Sequence, residues 1–278
     1  MSATVAVQAR RQAARRGVNV GAYLAYARLG VQQELDARTA LVARAAFMVV
    51  ILFVFSRLWE VIVSAGALQG RSTSDFLWYL GVTELVILSF PYLHLEIGAD
   101  VRNGEFVVRL PQPVSYIGAR LAEGAGGALV RFLAFAPVVV VAPTVLGGGF
   151  PPPPAGLALA IPLAVPAIGL ALLFNGAIGL SAVWLHNAEP LSWIWQKLAF
   201  LFGGVILPLE VYPEWLRSFA VWTPFAALAN GPGRMVLEPG AEAAWLATAR
   251  LLGWIAVVSA FLIWEWRRAQ RALDAHGS

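Results

Sequence analysis

Charged side chains within otherwise apolar stretches are the most unusual chemical groups of this sequence. Arg57 and Glu60 lie in the first such stretch, Glu84 in the second and Arg131 in the third. A charge at the centre of a bilayer costs at least about 2.5 to 3.5 kcal/mol, so we expect these groups to face other helices or a wet cavity. Two interpretations stay open: the four residues form structural pairs, Arg57 with Glu60 and Glu84 with Arg131, or they line a translocation pathway.

Counting residues along the predicted helices places three of these charges at similar depths. At about 1.5 Å per residue, Arg57 and Arg131 lie about 22 Å from the cytoplasmic end of their predicted helices, and Glu84 lies about 16 Å from it. The side chains could therefore meet inside a helix bundle.

The sequence has no motif for covalent chemistry. Its only lysine, Lys197, follows Trp-Gln and precedes Leu, without the glycine loop or the Ser/Thr of a phosphate-binding loop. The three histidines (His94, His186 and His276) are scattered, and the carboxylates never pair at metal-ligand spacing. Cysteine is absent, which excludes disulfides and thiolate metal sites. We therefore predict no catalytic, cofactor-binding or metal site, and no ATP hydrolysis by this chain itself.

The composition is that of a membrane protein, with 59% hydrophobic and only 13% charged residues. The apolar residues fill stretches of about 20 residues, the length that a helix needs to cross about 30 Å of hydrocarbon. A membrane barrel would show alternating segments of about ten residues, and none alternates in this way. The arginines lie between the apolar stretches, so membrane topology explains the net charge of +4 better than nucleic-acid binding does.

These patterns predict an all-α polytopic membrane protein whose transmembrane domain covers residues 42–268. Its six predicted spans are roughly 42–64, 74–96, 116–142, 156–185, 191–207 and 243–266. Residues 1–41 are predicted to form a cytoplasmic tail and an amphipathic helix that lies in the membrane interface, and residues 269–278 a second cytoplasmic tail. Ser72, Thr73 and Ser74 are possible helix caps, and Pro91 should kink the second span near its end.

The distribution of basic residues predicts the orientation. Most arginines lie in segments on the same side as the amino terminus, which places both termini in the cytoplasm with an even number of spans. The Arg-rich start contains no apolar core of the signal-peptide type before Leu41, which favours a retained tail. An organellar transit peptide has a similar composition and is the alternative.

The loop between the second and third spans is patterned like a short helix. Its charged residues are Arg102, Glu105 and Arg109, and its apolar residues are Phe106, Val107, Val108 and Leu110. An exposed apolar stripe of this kind predicts a protein partner. The alternative is that the stripe rests on the membrane surface.

A second amphipathic segment follows the fifth predicted span. The apolar residues Trp215, Leu216, Phe219 and Trp222 share one helical face after Pro213. We predict a short helix that dips back into the outer leaflet, with an ordinary interfacial helix as the alternative. The sequence Asn-Gly-Pro-Gly at 230–233 predicts a turn after it.

Together, these features resemble the membrane subunit of type 2 ABC exporters. The resemblance covers nearly the whole chain and is sharpest in two segments. These are Arg102-Asn103-Gly104-Glu105-Phe106-Val107-Val108-Arg109-Leu110, and Gly203 to Pro208 followed by Tyr212-Pro213-Glu214-Trp215-Leu216 and Thr223-Pro224-Phe225. The sequence departs from the family pattern at Leu110-Pro111-Gln112-Pro113, where an extra proline changes the exit from the loop.

The resemblance implies an exporter permease that moves a hydrophobic or amphipathic substrate across a bacterial inner membrane. Residues 101–110 would form a coupling helix that docks on a separate cytoplasmic ATPase, which binds MgATP. The docking residues carried over are Arg102, Gly104, Glu105, Phe106, Val107 and Arg109. Residues 213–225 would form re-entrant helices of an outer gate, and two permease subunits, identical or paralogous, would assemble with two ATPases.

Two other classes of protein stay open on the residues alone. A secondary transporter would have broken helices with ion-binding groups near the membrane midplane and would need no nucleotide. An integral-membrane enzyme would need a polar cluster that the sequence does not show.

Overall fold

In the computed structural model of the chain, residues 20–66, 71–109, 114–147 and 155–276 are described. The predicted amino-terminal tail up to residue 19 lies outside these ranges, as do the proline-containing stretches 110–113 and 148–154. The side chains of Val107 and of residues 272–276 also lie outside the description.

The described residues form thirteen α-helices and one 3₁₀ turn, with no strand among them. The first seven helices are α1 (Val20–Asp36), α2 (Arg38–Ser64), α3 (Thr73–Leu88), α4 (Leu93–Arg102), α5 (Glu105–Arg109), α6 (Tyr116–Gly147) and α7 (Ala155–Leu180). The others are α8 (Ala182–Leu185), α9 (Glu189–Phe202), the 3₁₀ turn (Leu209–Val211), α10 (Glu214–Ala220), α11 (Pro224–Leu228), α12 (Asn230–Leu237) and α13 (Ala241–His276). The prediction of an all-α protein is confirmed.

Within the described ranges, five segments are long and apolar enough to cross a membrane. They are Arg38–Ser64, Thr73–Arg102, Tyr116–Gly147, Ala155–Leu185 and Ala241–Arg271. The predicted fifth span is shorter than expected, because α9 has only 14 residues. At about 1.5 Å per residue it extends about 21 Å, less than the hydrocarbon layer of about 30 Å.

Helix α3 is the central helix of the bundle. Its residues from Phe76 to Val86 are all buried, because α2, α6, α7 and α12 surround it. Such all-round burial matches a helix that is apolar on every face. Its start is fixed locally, since the Ser72 hydroxyl accepts a hydrogen bond from the backbone N–H of Asp75 at 3.2 Å, and the Asp75 carboxylate accepts one from the N–H of Ser72.

The chain breaks after α3, as the proline in this region predicts. Helix α3 ends at Leu88, and α4 begins only at Leu93, so Pro91 lies in the connection. Helices α4 and α5 and the start of α6 form one end of the bundle, which we call the Arg120 end. The opposite end, where α3 begins, is called the Arg71 end.

Helix α1 packs along α6 in the same direction. Tyr23 lies against Gly118, and an ideal Cβ atom on Gly30 would lie 1.9 Å from the carbonyl oxygen of Glu123. A Cβ atom on Gly126 would collide equally with the carbonyl oxygen of Ala27. Only glycine allows the two backbones to approach so closely. The predicted amphipathic helix is therefore held by a span of the bundle, while Leu24, Leu29 and Leu35 stay exposed on its other side.

The predicted Asn-Gly-Pro-Gly turn at 230–233 is wrong, because these residues begin α12. A proline fits the first turn of a helix, where its missing N–H would have no partner. Gly233 lies against α3, since a Cβ atom there would come within 2.7 Å of the Tyr79 ring. Close packing against α3 thus overrides the local preference for a turn.

Candidate functional site

The segment that the sequence predicts to be a coupling helix lies at the Arg120 end, and we call its residues 102–109 the coupling turn. Helix α4 ends at Arg102, the backbone reverses at Gly104 with φ of +74°, and α5 follows from Glu105. A positive φ suits glycine, which has no Cβ atom to clash. Arg102 and Glu105 are exposed, and Arg109 is half-buried and pairs with Glu105 at 3.0 Å.

Phe106 does not belong to an exposed stripe, contrary to the expectation from the sequence. Its side chain is 2% exposed and packs edge-on against the rings of Tyr116 and Trp266, at centroid distances of 4.8 and 5.7 Å. Trp266 of the last span covers the Phe106 ring, so the apolar contact that the sequence pattern predicts is made within the chain. Val108 is the exposed apolar residue of the turn at 75%, whereas the side chain of Val107 lies outside the description.

A buried ion-pair network, which we call the Arg120 network, lies directly behind the coupling turn. Arg120 donates from Nε to the Asp100 carboxylate at 3.0 Å and from Nη1 to Glu123 at 2.8 Å. Its side chain also pairs with Glu96 at 3.4 Å, and the Tyr116 hydroxyl donates to Asp100 at 2.6 Å. Because one guanidinium has three carboxylate neighbours, its five donors are well matched, as a buried charge requires.

The Arg120 network joins three helices. Glu96 and Asp100 lie one turn apart on α4, while Arg120 and Glu123 lie one turn apart on α6. Helix α1 joins through Gln33, whose side chain donates to Glu123 at 2.8 Å. The network therefore connects α4, which leads into the coupling turn, with α6 and α1. Sequence reasoning missed this network, although the spacing of its charges within α4 and α6 was a usable signal.

Arg131 does not meet Glu84, so this predicted pair is wrong. Arg131 pairs with Glu34 of α1 at 3.3 Å, and Glu34 also pairs with Arg44 near the start of α2 at 3.3 Å. The depths counted from the start of each helix were misleading, because α6 begins farther out at the Arg120 end than α2 does. Arg57 lies thirteen positions beyond Arg44, or about 20 Å farther along the bundle.

The other charges in the spans lie apart from one another. Arg57 and Glu60 form the predicted pair at 3.1 Å on α2, and their side chains are 66% and 64% exposed. Glu84 is 3% exposed on α3 and makes no hydrogen bond or ion pair with any residue of the described ranges. The four charges thus form no single cluster.

The segment after α9 lies at the Arg71 end. Helix α9 ends at Phe202, and α3 bonds the carbonyl groups of the nonhelical residues that follow. The Tyr79 hydroxyl donates to the carbonyl oxygen of Gly204, and the Thr83 hydroxyl donates to that of Val205 at 2.8 Å. A nonhelical backbone at membrane depth is tolerated where protein groups satisfy it in this way.

The predicted outer-gate residues lie on or next to α10. Pro213 precedes the helix, and Leu216 is half-buried, whereas Trp215, Phe219 and Trp222 are 75%, 59% and 70% exposed. The Phe219 ring packs edge-on against Phe202, and the guanidinium of Arg250 on α13 lies over the Trp222 ring, 5.3 Å from its centroid. The segment forms a short helix, Glu214–Ala220, and its dipping into the outer leaflet stays a prediction.

Among the residues that the structure describes, no three His, Asp or Glu side chains lie close enough together to hold a metal ion. The carboxylates of the Arg120 network are engaged by arginine and glutamine instead. The network at this end links α6 to α4 through Arg120 and to α1 through Glu123.

Comparison with known proteins agrees with this architecture. A family model described as ABC-2 family transporter protein matches residues 41–277, a range that includes four of the five long apolar segments, most of the first one and the coupling turn. A search of curated proteins finds no match. The apolar helices and the family match together make this a multi-pass membrane permease. The chain therefore belongs to the ABC-2 family of transporter proteins.

Proposed function

We propose that this chain is the transmembrane subunit of an ATP-driven exporter and that a separate ATPase, which binds MgATP, docks on the coupling turn. The observation that carries the proposal is the form of this turn. Its tip exposes Arg102, Glu105 and Val108, whereas its base is anchored by Phe106 and by Asp100 of the Arg120 network. An exposed tip on a rigid base is suited to receiving movement from a partner.

The energy for transport has to come from that partner. The sequence has no phosphate-binding loop, so the permease responds only through different contacts with two states of the ATPase. The tip residues proposed to contact the ATPase are Arg102, Gly104, Glu105, Val108 and Arg109. Phe106, which packs against Trp266, positions the tip and does not itself contact the ATPase. Val107 remains among the residues proposed to dock on the ATPase.

We assign the Arg120 end to the cytoplasm of a bacterial inner membrane, with both termini inside. The excess of arginine in the segments at this end supports the assignment. With both termini inside, the number of membrane crossings must be even, so a sixth crossing is needed besides the five long segments. We propose that α9 together with residues 203–211 forms this crossing. Glu189 lies near His94 of α4, whereas Gly204 and Val205 are bonded by Tyr79 and Thr83 of α3, so this segment runs from one end toward the other.

A second permease subunit, a copy or a paralogue, would complete the pathway. Arg57 and Glu60 are exposed at membrane depth, and such charges need a protein or water environment. The pathway would therefore run along this face of α2 and beneath the outer gate of α10. A hydrophobic or amphipathic substrate suits the aromatic lining of the gate, at Trp215, Phe219 and Trp222.

Co-purification tests the ATPase assignment. The tagged chain, expressed in its native host, is expected to bring down an ATPase, and Arg102→Glu with Val108→Asp should abolish the association. Arg217→Glu with Val211→Asp is the matched control, because both residues are exposed at the opposite end. Retention of the ATPase by the coupling-turn variant would refute the docking site.

A secondary transporter is the competing function. Reconstitution in liposomes separates the two, since an exporter requires the ATPase and MgATP, whereas an ion-coupled transporter requires only an ion gradient. Full transport by the purified chain without nucleotide would overturn the proposal.

A further inference from the structure

A largely apolar cavity lies between α7, α9 and α13, apart from the coupling turn and from the charges on α2. Its volume is about 470 Å³. The aromatic residues of its wall are Phe174, Trp195, Trp254 and Phe261. Aliphatic side chains fill most of the remaining wall, and one acidic residue, Glu265, completes it.

Glu265 is an unpartnered carboxylate within this cavity. The residue is 5% exposed, and its buried Oε2 atom accepts no hydrogen bond. It makes no ion pair with any side chain that the structure describes. Arg268, one turn along α13, is directed elsewhere, with its guanidinium over the rings of Trp184 and Trp264 at 5.4 and 5.6 Å.

A second orphan polar group lies in the same wall. The indole Nε1 of Trp195 is buried and donates no hydrogen bond within the described structure. A buried carboxylate without a partner is costly, especially next to a membrane, so its presence in an apolar wall calls for a compensating ligand. The Trp195 ring also packs against Phe174 and Phe90, which holds its position.

The shape of the cavity indicates how such a ligand would lie. Glu265 is next to Trp266, which stacks on Tyr116 at the Arg120 end. Trp254 lies eleven positions earlier on α13, or about 16 Å toward the Arg71 end. The acidic group is therefore at one end of an elongated apolar space that is lined by aromatic rings.

We propose that this cavity binds an amphipathic organic cation, with the positive centre at Glu265 and the apolar groups among Trp195, Trp254 and Phe174. The carboxylate supplies the opposite charge, and aromatic faces attract cations in addition to burying apolar area. Neutral lipid chains would fill the same space without engaging Glu265. The inference does not rest on the proposed exporter function, because binding is measurable without ATP or transport.

Equilibrium binding of tetraphenylphosphonium to the full-length chain in lipid nanodiscs tests the proposal. The neutral compound triphenylphosphine oxide is the matched probe. We expect saturable binding of the cation and at least about tenfold weaker binding of the neutral compound. Equal affinities, or no saturable binding of the cation, would overturn the proposal and would indicate a space filled by lipid chains or by a second subunit.

Substitutions of residues that line the cavity test whether the cation binds there. Glu265→Gln should weaken binding of the cation about tenfold and leave the neutral probe unaffected. Trp195→Leu should weaken binding of both probes, because it removes an aromatic wall. Glu242→Gln is the control, since this exposed carboxylate lies at the other end of α13.

The glutamine variant is expected to fold, because it replaces a buried unpaired charge with a neutral group of the same shape. Wild-type affinity for the cation in Glu265→Gln would refute the assignment. Should the variant not be recovered, the comparison of the two probes on the wild-type protein decides the question.

Discussion

The ring of Phe106 packs edge-on against that of Trp266, with the ring centroids 5.7 Å apart. This contact ties the coupling turn to the last span, and Tyr116 at the start of α6 completes the aromatic cluster. The tip of the turn can therefore be altered separately from its base. Binding of a partner and transmission of its movement should depend on different residues.

Phe106→Leu tests this separation. The variant loses two aromatic contacts of about 0.5 to 1.5 kcal/mol each, so we expect a loss of about 1 to 3 kcal/mol in stability. The ATPase should still co-purify, because the exposed tip is unchanged, whereas substrate-stimulated ATP hydrolysis should fall. Thermal unfolding and ATPase assays measure the two effects. Phe47→Leu, at an exposed position of α2, is the control, and equal stability of the two variants would contradict the prediction.

Gly30→Val should detach α1 from α6. The new side chain would overlap the carbonyl oxygen of Glu123, which lies 1.9 Å from an ideal Cβ atom at this position. We expect faster hydrogen exchange across Val20–Asp36, while α3 keeps its protection. Gly253→Val is the matched control, because nothing lies within 4 Å of a Cβ atom there. Unchanged exchange of α1 would show that the close approach does not hold this helix.

Glu238 predicts a pH dependence at the Arg71 end. The hydrogen bond from Arg234 and the nearby charge of Arg71 lower the pKa of Glu238 below its ordinary value of 4.5. A lowered pKa means that the stabilisation is complete above pH 4.5 and is lost as the pH falls through the folded-state value. The groups are partly exposed, so the contribution is at most about 1 kcal/mol.

The measurement compares the unfolding temperature of the wild type with that of Glu238→Gln. The wild type should be slightly more stable at pH 6, and the difference should shrink as the pH falls below 4.5 and through the lowered folded-state pKa of Glu238. Glu214→Gln, at an exposed carboxylate of α10, is expected to show no such difference at either pH. A difference in unfolding temperature between wild type and Glu238→Gln that does not change with pH would mean that the ion pairs of Glu238 contribute no stability.

Glu84→Gln tests whether the unpaired carboxylate of α3 belongs to the pathway. Glutamine removes a buried charge, so expression and unfolding temperature should stay the same or rise. The set of compounds that stimulate ATP hydrolysis by the assembled complex should change if Glu84 contacts the substrate. An effect confined to expression would refute a role in the pathway, and Glu242→Gln serves as the control.

Much of the architecture follows from local information in the sequence. Apolar stretches of sufficient length predict the long helices, since a membrane requires about 20 apolar residues for each crossing. The cap at Ser72, the break near Pro91 and the pair of Arg57 with Glu60 depend on residues a few positions apart. The short helices α5 and α10 follow from local helical periodicity for the same reason.

The tertiary structure decided which distant residues meet. Arg131 pairs with Glu34 rather than Glu84, because α6 is displaced along the bundle relative to α2, and a single sequence carries no measure of this displacement. Phe106 is buried because Trp266 of the last span covers it. Residues 230–233 are helical because Gly233 packs against Tyr79. Contacts between remote helices depend on their relative positions, and these are set only when the whole bundle packs.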